Sequence, residues 1–278
     1  MRSPNPTREG AVTSSENPYA TFQHLGISVD HGIAVVRLGT GDRMAVSEAF
    51  HNELELLFGA LARDRDVEAV VLTGAGRMFC AGGDVNWMES VQPEELDYSL
   101  GQGRRIIENL LSMSQPVIAA VNGHAVGLGC TIALFCDITI VAEEAKVGDP
   151  HVGLGLVAGD GGAIIWPQLI GLHRANRYLL TGDLMTGAEA VEIGLMGEAA
   201  PGEEVLDRAL ALARRIADLP GPAVRGTKRS VIHAVSLAVR QTLELSLEKE
   251  RTSATSPEHR AAVQAFLERQ RRRAAERA

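Results

Sequence analysis

Two glycine-rich stretches decide the fold of this chain: FCAGGDVNWM at residues 79–88 and PVIAAVNGHAVGLGCTIALFCDI at residues 116–138. In each, a turn rich in glycine leads into a segment that favours a helix. VEAVVLTGAG (67–76) precedes the first turn, and PVIAAVNG (116–123) opens the second stretch. Short apolar runs that end in glycine are typical of strands buried in an α/β sheet.

The surrounding segments complete an alternation of strands and helices. Residues 24–38 alternate apolar and polar side chains around Asp30-His31-Gly32, which predicts a hairpin, and residues 137–148 predict a third strand region. Helices are predicted at three places, the first with Ser47 as its N-cap: 47–63, roughly 93–113, and 127–136. Apolar strands between helices indicate a layered α/β core.

The predicted organisation has three parts. Residues 1–20 are rich in Pro, Ser, Asn and Thr and lack the apolar region of a signal peptide, so we expect a disordered lead. Residues 21–202 form the α/β core, and residues 203–278 change to four helical runs with a break at Pro220 and Pro222. No run of 18 apolar residues occurs, so no transmembrane helix is expected.

Composition narrows the classes of partner. The net charge of −8 over 278 residues argues against a general nucleic-acid-binding protein, although local basic residues could still hold an anionic small ligand. Cys80, Cys130 and Cys136 are odd in number and form no CxxC motif, which favours a reducing, cytoplasmic compartment over a disulfide framework. No Cys, His and Asp residues have metal-ligand spacing, so no metal is expected.

The glycine turns allow several interpretations. A dinucleotide site requires a third glycine, but Phe79 and Ile132 stand there, and the absence of Gly-Lys-Ser/Thr excludes a Walker-type P-loop. Two turns that each leave free N–H groups at a helix start could instead hold one oxyanion between them. The glycines could also serve only tight turns, and the residues alone leave these last two interpretations open.

Together the two stretches resemble the enoyl-CoA hydratase/isomerase (crotonase) family, and GLGLVAGDGGAIIWPQLIG (153–171) matches in order and spacing. The resemblance covers roughly residues 24–275. It implies a ClpP-like core built as a β-β-α spiral, an all-α C-terminal region, and an acyl-CoA thioester substrate with no further cofactor. It also implies an oxyanion hole formed by the N–H groups of Gly83 and Leu128, where Leu replaces the usual Gly. It implies CoA contacts from five residues: Arg43, Ala45, Ala81, Asp84 and Val85.

The acid–base residues depart from the family pattern. Hydratases of this family use two glutamates, but Thr131 and His151 stand at those positions. His151 and Asp160 both fall on substrate-facing positions of the family. Because an Asp can orient a His for general-base catalysis, we expect Asp160 to orient His151 as the base that activates water.

This His–Asp pair is similar to that of 6-oxocamphor hydrolase-type members, which cleave a C–C bond between two carbonyl groups. His51 and Glu250 match supporting polar positions there. The CAGGD turn resembles that of family members that act on acyl-CoA thioesters, so the first hypothesis is hydration of an enoyl-CoA. Retro-Claisen hydrolysis of a β-diketone is the alternative, and a non-catalytic acyl-CoA-binding protein is the third.

Members of the family are usually trimers or pairs of trimers, so the resemblance implies self-association. We expect the C-terminal helices to mediate it through an apolar stripe: Leu243, Leu245, Leu247, Val263, Phe266 and Leu267.

Overall fold

The computed structural model describes residues 18–41 and 46–276. Its larger sheet has six strands: β1 (Leu25–Asp30), β2 (Ile33–Leu38), β3 (Ala69–Gly74), β5 (Val117–Val121), β7 (Ile138–Ala142) and β10 (Glu198–Ala200). They lie in the order β1-β2-β3-β5-β7-β10 across the sheet. The first two strands form the antiparallel hairpin predicted at residues 24–38, and all other neighbours run parallel.

A smaller sheet has four short strands: β4 (Met78–Cys80), β6 (His124–Val126), β8 (Lys146–Gly148) and β9 (Met185–Thr186). Strands β4, β6 and β8 each follow a strand of the larger sheet along the chain, namely β3, β5 and β7. This repeated pairing confirms the predicted β-β-α spiral. The strand region predicted at 137–148 is two strands in different sheets, because the chain turns between Ala142 and Lys146.

Eleven α-helices occur within the described residues: α1 (Glu48–Arg63), α2 (Val85–Ser90), α3 (Pro93–Ser112), α4 (Leu128–Phe135), α5 (Gly162–Ile170), α6 (Leu172–Leu179), α7 (Gly187–Glu192), α8 (Val205–Ala217), α9 (Gly221–Val231), α10 (His233–Ala254) and α11 (Pro257–Ala275). Helices α1, α3 and α4 confirm the three helices predicted in the core. None of the described helices is both long and apolar enough to cross a lipid bilayer.

Helix α1 shows why the sequence pattern succeeds locally. The Ser47 hydroxyl accepts a hydrogen bond from the Phe50 N–H at 3.4 Å, as an N-cap does. Apolar side chains at helical spacing, from Phe50 to Leu61, are buried in the core, and the helix packs on α3. His51 lies on the same buried side of the helix and is only 5% exposed.

Among the described residues, segments from both predicted end regions pack on the core more closely than predicted. Tyr19 falls in the predicted lead, yet it is buried and its hydroxyl donates to Asp64 at 2.7 Å. Helix α8 falls in the predicted C-terminal region, yet Val205, Ala209 and Ala213 are fully buried on its face toward the larger sheet. Helix α10 packs on α3 and α5, and α11 packs on α2. The C-terminal helices therefore pack against the core.

Candidate active site

The two glycine turns lie side by side. Gly82 follows β4 with φ of +78°, and Gly127 follows β6 with φ of +55°, conformations that favour glycine. A Cβ atom on Gly127 would lie 3.8 Å from the Cα of Gly82. The residues after these glycines, Gly83 and Leu128, line one cavity of about 80 Å³.

The backbone N–H groups of Gly83 and Leu128 have no acceptor among the described residues. Beside Gly83, the N–H of Val46 donates to Gly82 O at 2.8 Å and the N–H of Asp84 donates to Val46 O at 3.1 Å. Leu128 opens α4, and the first N–H groups of a helix lack partners within it. Two unpaired donors are therefore available beside the same cavity.

His151 lies in a 3₁₀ turn after β8, and Asp149 holds its ring. His151 Nδ1 makes a short hydrogen bond with Asp149 Oδ1, and the His151 backbone N–H donates to the same oxygen at 3.3 Å. Asp160 Oδ2 lies 3.9 Å from His151 Nε2, which is an ion-pair distance rather than a hydrogen bond. The predicted orienting role of Asp160 is therefore corrected. Asp149 fills it because it lies only two positions before His151 on the same turn.

Asp160 is itself positioned by helix α4. The Thr131 hydroxyl donates to Asp160 Oδ1 at 3.2 Å, and the backbone of Gly162 also hydrogen-bonds to this carboxyl. Both Thr131 and Asp160 are buried. The position at which family hydratases carry a glutamate thus carries a hydroxyl that supports a different carboxyl group.

Glu250 reaches the same cavity from helix α10. It is buried, and its Oε2 has no hydrogen-bond partner among the described residues. Burial and the nearby Asp160 raise the pKa of Glu250 to about 8, against the opposing effect of His151. Glu250 is therefore a neutral acid at pH 7 that can donate a proton.

The carboxyl groups around His151 determine its charge. Burial alone would lower its pKa, but Asp149 and Asp160 outweigh burial and raise the pKa well above the ordinary value. Burial raises the pKa of Asp160, against the attraction of His151. His151 is therefore an imidazolium at neutral pH, and an imidazolium donates protons but has no lone pair to accept one.

His51 lines the same cavity from helix α1. Its Nδ1 lies 3.0 Å from Gln102 Oε1 on α3, and its ring centroid is 6.4 Å from that of Trp87. Burial lowers the pKa of His51, against the opposing hydrogen bond with Gln102. The ring is therefore neutral at pH 7, unlike that of His151.

One cluster has the dimensions of a metal site. The ligand atoms of Asp149, His151 and Asp160 all lie within 4.8 Å of one another, an arrangement that the linear sequence does not reveal. Asp149 Oδ1 and His151 Nδ1 are already bonded to each other, however, and the imidazolium supplies positive charge to both carboxylates. The additional proton on His151 thus balances the negative charge of the two carboxylates, which a metal ion would otherwise have to do.

Of the five residues predicted to contact CoA, two lie outside the described residues and three lie in the turn after β4: Arg43 and Ala45, and Ala81, Asp84 and Val85. The Asp84 carboxylate accepts from the Asn86 N–H at 2.9 Å and so caps α2. Val46, directly after the undescribed segment, pairs with Gly83. Val46 therefore lies beside the turn that holds the other three predicted residues.

Sequence reasoning missed Asp149 and Gln102. The signal for Asp149 was available, because Asp149-Pro150-His151 places a carboxylate two residues before an imidazole in a turn. Gln102 lies 51 residues beyond His51, and no local pattern links them.

The sequence and the fold of this chain are similar to those of known proteins. Residues 28–275 match the sequence model of the enoyl-CoA hydratase/isomerase family. The crotonyl-CoA hydratase of Syntrophomonas wolfei is 32% identical over 90% of this chain and 97% of that protein. The crystal structure of an enoyl-CoA hydratase/isomerase from Mycobacterium paratuberculosis has a TM-score of 0.85 and 36% identity, covering 89% of this chain and all of the other.

A beta-diketone hydrolase from the cyanobacterium Anabaena, solved with (S)-3-oxocyclohexyl acetic acid bound, is also similar. It has a TM-score of 0.81 and 30% identity, covering 87% of this chain and 98% of that protein. The family match spans most of the chain, and the strand pairing and glycine turns agree with it. The chain belongs to the enoyl-CoA hydratase/isomerase family.

Proposed function

We propose that this protein adds water to the double bond of a 2-enoyl-CoA thioester and forms a 3-hydroxyacyl-CoA. One observation carries the proposal: unpaired N–H groups of Gly83 and Leu128 border the same cavity as His151 and Asp160. Hydration moves negative charge onto the thioester oxygen, and a donor aimed at such an oxygen contributes roughly 3–4 kcal/mol to catalysis. The crotonyl-CoA hydratase of Syntrophomonas wolfei supports this choice of reaction.

CoA enters as part of the substrate, and no separate cofactor or metal is proposed. Contacts to CoA are proposed from the segment of Arg43 and Ala45 and from the turn of Ala81, Asp84 and Val85. His151, Asp160 and Glu250 transfer protons in this proposal, because His151 and Glu250 each carry a proton at neutral pH.

A second candidate is hydrolysis of a C–C bond in a β-diketone. It is favoured by the set of His151, Asp160, His51 and Glu250, which replaces the glutamate pair, and by the similarity to the Anabaena hydrolase. In that reaction, water would attack a ketone carbonyl and the same two N–H groups would hold the developing enolate. The CAGGD turn at residues 80–84 has the sequence typical of family members that act on CoA thioesters, and this makes hydration the first choice.

Product analysis separates these candidates. The purified protein is incubated with crotonyl-CoA and, separately, with a cyclic β-diketone, and the products are identified by mass spectrometry. Hydration predicts a CoA ester that has gained one water molecule. Cleavage of the diketone with no measurable affinity for CoA esters would support the hydrolase instead. Binding of crotonyl-CoA without turnover of either compound would support the non-catalytic alternative.

We also propose assembly as a trimer or a pair of trimers. The predicted stripe does not supply the contact, because most of its side chains pack within the chain: Leu243, Leu247, Val263 and Leu267 are all 7% exposed or less. Leu219 and Val231 are instead 55% and 75% exposed, beside an apolar groove of about 700 Å³ between α8, α9 and the core. Light scattering that gives the mass of a single chain would contradict assembly.

The proposed compartment is the cytoplasm. All three cysteines are free and buried, and burial raises the pKa of the Cys80 thiol to about 11. Unreactive thiols of this kind fit a reducing environment.

A further inference from the structure

We propose that His51 Nε2 accepts the proton of the attacking water, while His151 returns a proton to the substrate. This inference deepens the proposed hydration and rests on it. It gives the two histidines opposite roles, whereas the sequence alone favours His151 as the base.

The hydrogen-bond network around His51 determines which ring nitrogen carries the proton. Glu55 accepts from the Arg105 guanidinium at 2.5 and 3.2 Å, and this contact lowers the pKa of Glu55, which is therefore a carboxylate that only accepts. The amide NH₂ of Gln102 donates to Glu55 Oε2 at 3.1 Å and to Asn52 Oδ1. Gln102 Oε1 must then face His51.

An amide oxygen accepts hydrogen bonds and cannot donate them. His51 Nδ1, which lies 3.0 Å from Gln102 Oε1, must therefore carry the ring proton. In a neutral imidazole, the other nitrogen then holds a free lone pair. His51 Nε2 has no partner among the described residues, and the ring lines the cavity beside Gly83 and Leu128. The free lone pair is thus available beside the oxyanion donors.

His151 has the opposite environment. Its Nδ1 bonds to the carboxylate of Asp149, and its Nε2 faces the carboxylate of Asp160 at 3.9 Å. Carboxylates beside both nitrogens favour a proton on each. Within one cavity, His51 therefore offers a lone pair and His151 offers a proton.

The proposed step conserves atoms and charge. Water oxygen forms a bond to the substrate Cβ and its proton moves to His51 Nε2, while the double-bond electrons shift toward the thioester oxygen. That oxygen is stabilised by the N–H groups of Gly83 and Leu128. The resulting enolate then takes a proton at Cα from His151 Nε2. Exchange with solvent removes the proton from His51 and restores the one on His151.

Substitution of His51 is the direct test of activity. His51→Gln keeps a polar side chain but has no basic nitrogen, so kcat on crotonyl-CoA should fall on the order of 10²–10⁴-fold with a smaller change in KM. His51→Ala should regain part of its kcat when imidazole is added. His173→Gln, at an exposed position on α6, is the control and should retain wild-type kcat. Wild-type turnover by His51→Gln would overturn the proposal.

Gln102→Leu tests the positioning role of Gln102. Without the acceptor, His51 can place its proton on either nitrogen, so kcat should fall less than in His51→Gln. Gln102→Glu keeps an acceptor oxygen for His51 Nδ1 but loses the NH₂ group that donates to Glu55, so it should recover only part of the loss. Equal kcat in both Gln102 variants and the wild type would remove Gln102 from the mechanism.

The pH dependence of kcat/KM distinguishes the two histidines. Glu55 and Arg105 face His51 from α1 and α3, and His151, Asp160 and Glu250 share its cavity. Because the pKa of His51 is lowered, a base at His51 predicts activity that declines only below about pH 6.5. Because the pKa of His151 is raised, a base at His151 predicts a decline that begins well above that pH.

Nitrogen-15 NMR of the histidine rings tests the proton positions without any substrate. At pH 7, His51 should show one protonated nitrogen, Nδ1, and His151 should show two. A proton on His51 Nε2 would overturn the proposal. Failure of the wild type to hydrate any enoyl-CoA would instead contradict the proposed function, and the NMR result would still decide the protonation of His51.

Discussion

The two sides of the cavity are built in different ways. On one side, backbone N–H groups of Gly83 and Leu128 come from two turns that follow short strands of one sheet. On the other side, His51, His151 and Glu250 come from a helix, a turn and a distant C-terminal helix. The first side depends on local backbone conformation, and the second depends on packing between elements far apart in the chain. Evolutionary change in side chains can therefore alter the acid–base chemistry while the oxyanion site persists.

The charge on the two sides differs as well. The backbone side carries partial charges that do not titrate, whereas the side-chain side contains two histidines and two carboxyl groups, Asp160 and Glu250, whose pKa values are displaced: that of His51 is lowered and the other three are raised. A group with a displaced pKa in a cavity is typical of a catalytic site. We expect substitutions on the backbone side to change rate at every pH, and substitutions on the side-chain side to change its pH dependence.

The largest effect is expected on the side-chain side. His151→Ala should lower kcat on the order of 10²–10⁴-fold, because the proton donor is lost. Asp149→Asn and Asp160→Asn should each lower kcat, and His151→Ala combined with Asp149→Asn should cost little more than the worse single change. Steady-state kinetics and thermal unfolding of each variant provide the measurement. Full additivity of the two changes would mean that Asp149 and His151 act independently.

The backbone side can be tested through a matched pair of variants. Leu128→Pro removes the N–H, yet Leu128 is the first residue of α4, where proline is tolerated. Leu128→Ala loses the same side-chain contacts but keeps the N–H. The proline variant should have a kcat roughly 10²–10³-fold below that of the alanine variant, at similar thermal stability. Equal kcat values in the two folded variants would exclude Leu128 as an oxyanion donor.

A smaller effect is expected on stability from Glu250. The pKa of Glu250 in the folded protein, about 8, exceeds the ordinary value of 4.5. The contribution of this group to the free energy of unfolding is therefore fully present below pH 4.5 and declines as pH rises toward 8. The decline should be up to about 5 kcal/mol, because each unit of raised pKa corresponds to about 1.4 kcal/mol. Glu250→Gln should flatten this dependence in denaturant unfolding between pH 5 and 9.

The control for this experiment is Glu248→Gln, at an exposed position two residues earlier on the same helix. It should leave the pH dependence of unfolding as in the wild type. A wild-type slope in Glu250→Gln would mean that another buried group titrates in this range.

The smallest effect is expected from metal removal. Because the Asp149–His151 hydrogen bond occupies atoms that a metal would need, treatment with EDTA should leave kcat unchanged. A loss of activity that added divalent cations restore would mean that the cluster of Asp149, His151 and Asp160 binds a metal.

The sequence supports the fold far better than the detailed site. The β-β-α order, helix α1 and the two glycine turns all follow from patterns within about twenty residues. The partner of His151 was predicted incorrectly because Asp149 and Asp160 are both carboxylates near it, and only the folded turn selects Asp149. The apolar C-terminal stripe was read as an oligomer surface, but periodicity cannot distinguish burial within one chain from burial between chains. The contact between His51 and Gln102 likewise depends on how α1 and α3 pack.

A crystal structure with a bound acyl-CoA would test the central claim most directly, namely that two backbone donors of this chain hold the thioester oxygen. Acetoacetyl-CoA is a suitable ligand because it carries the thioester but lacks the double bond that hydration consumes. The thioester oxygen should lie about 2.7–3.2 Å from the backbone nitrogens of both Gly83 and Leu128. A bound thioester whose oxygen contacts neither nitrogen, or contacts only side chains, would contradict the account.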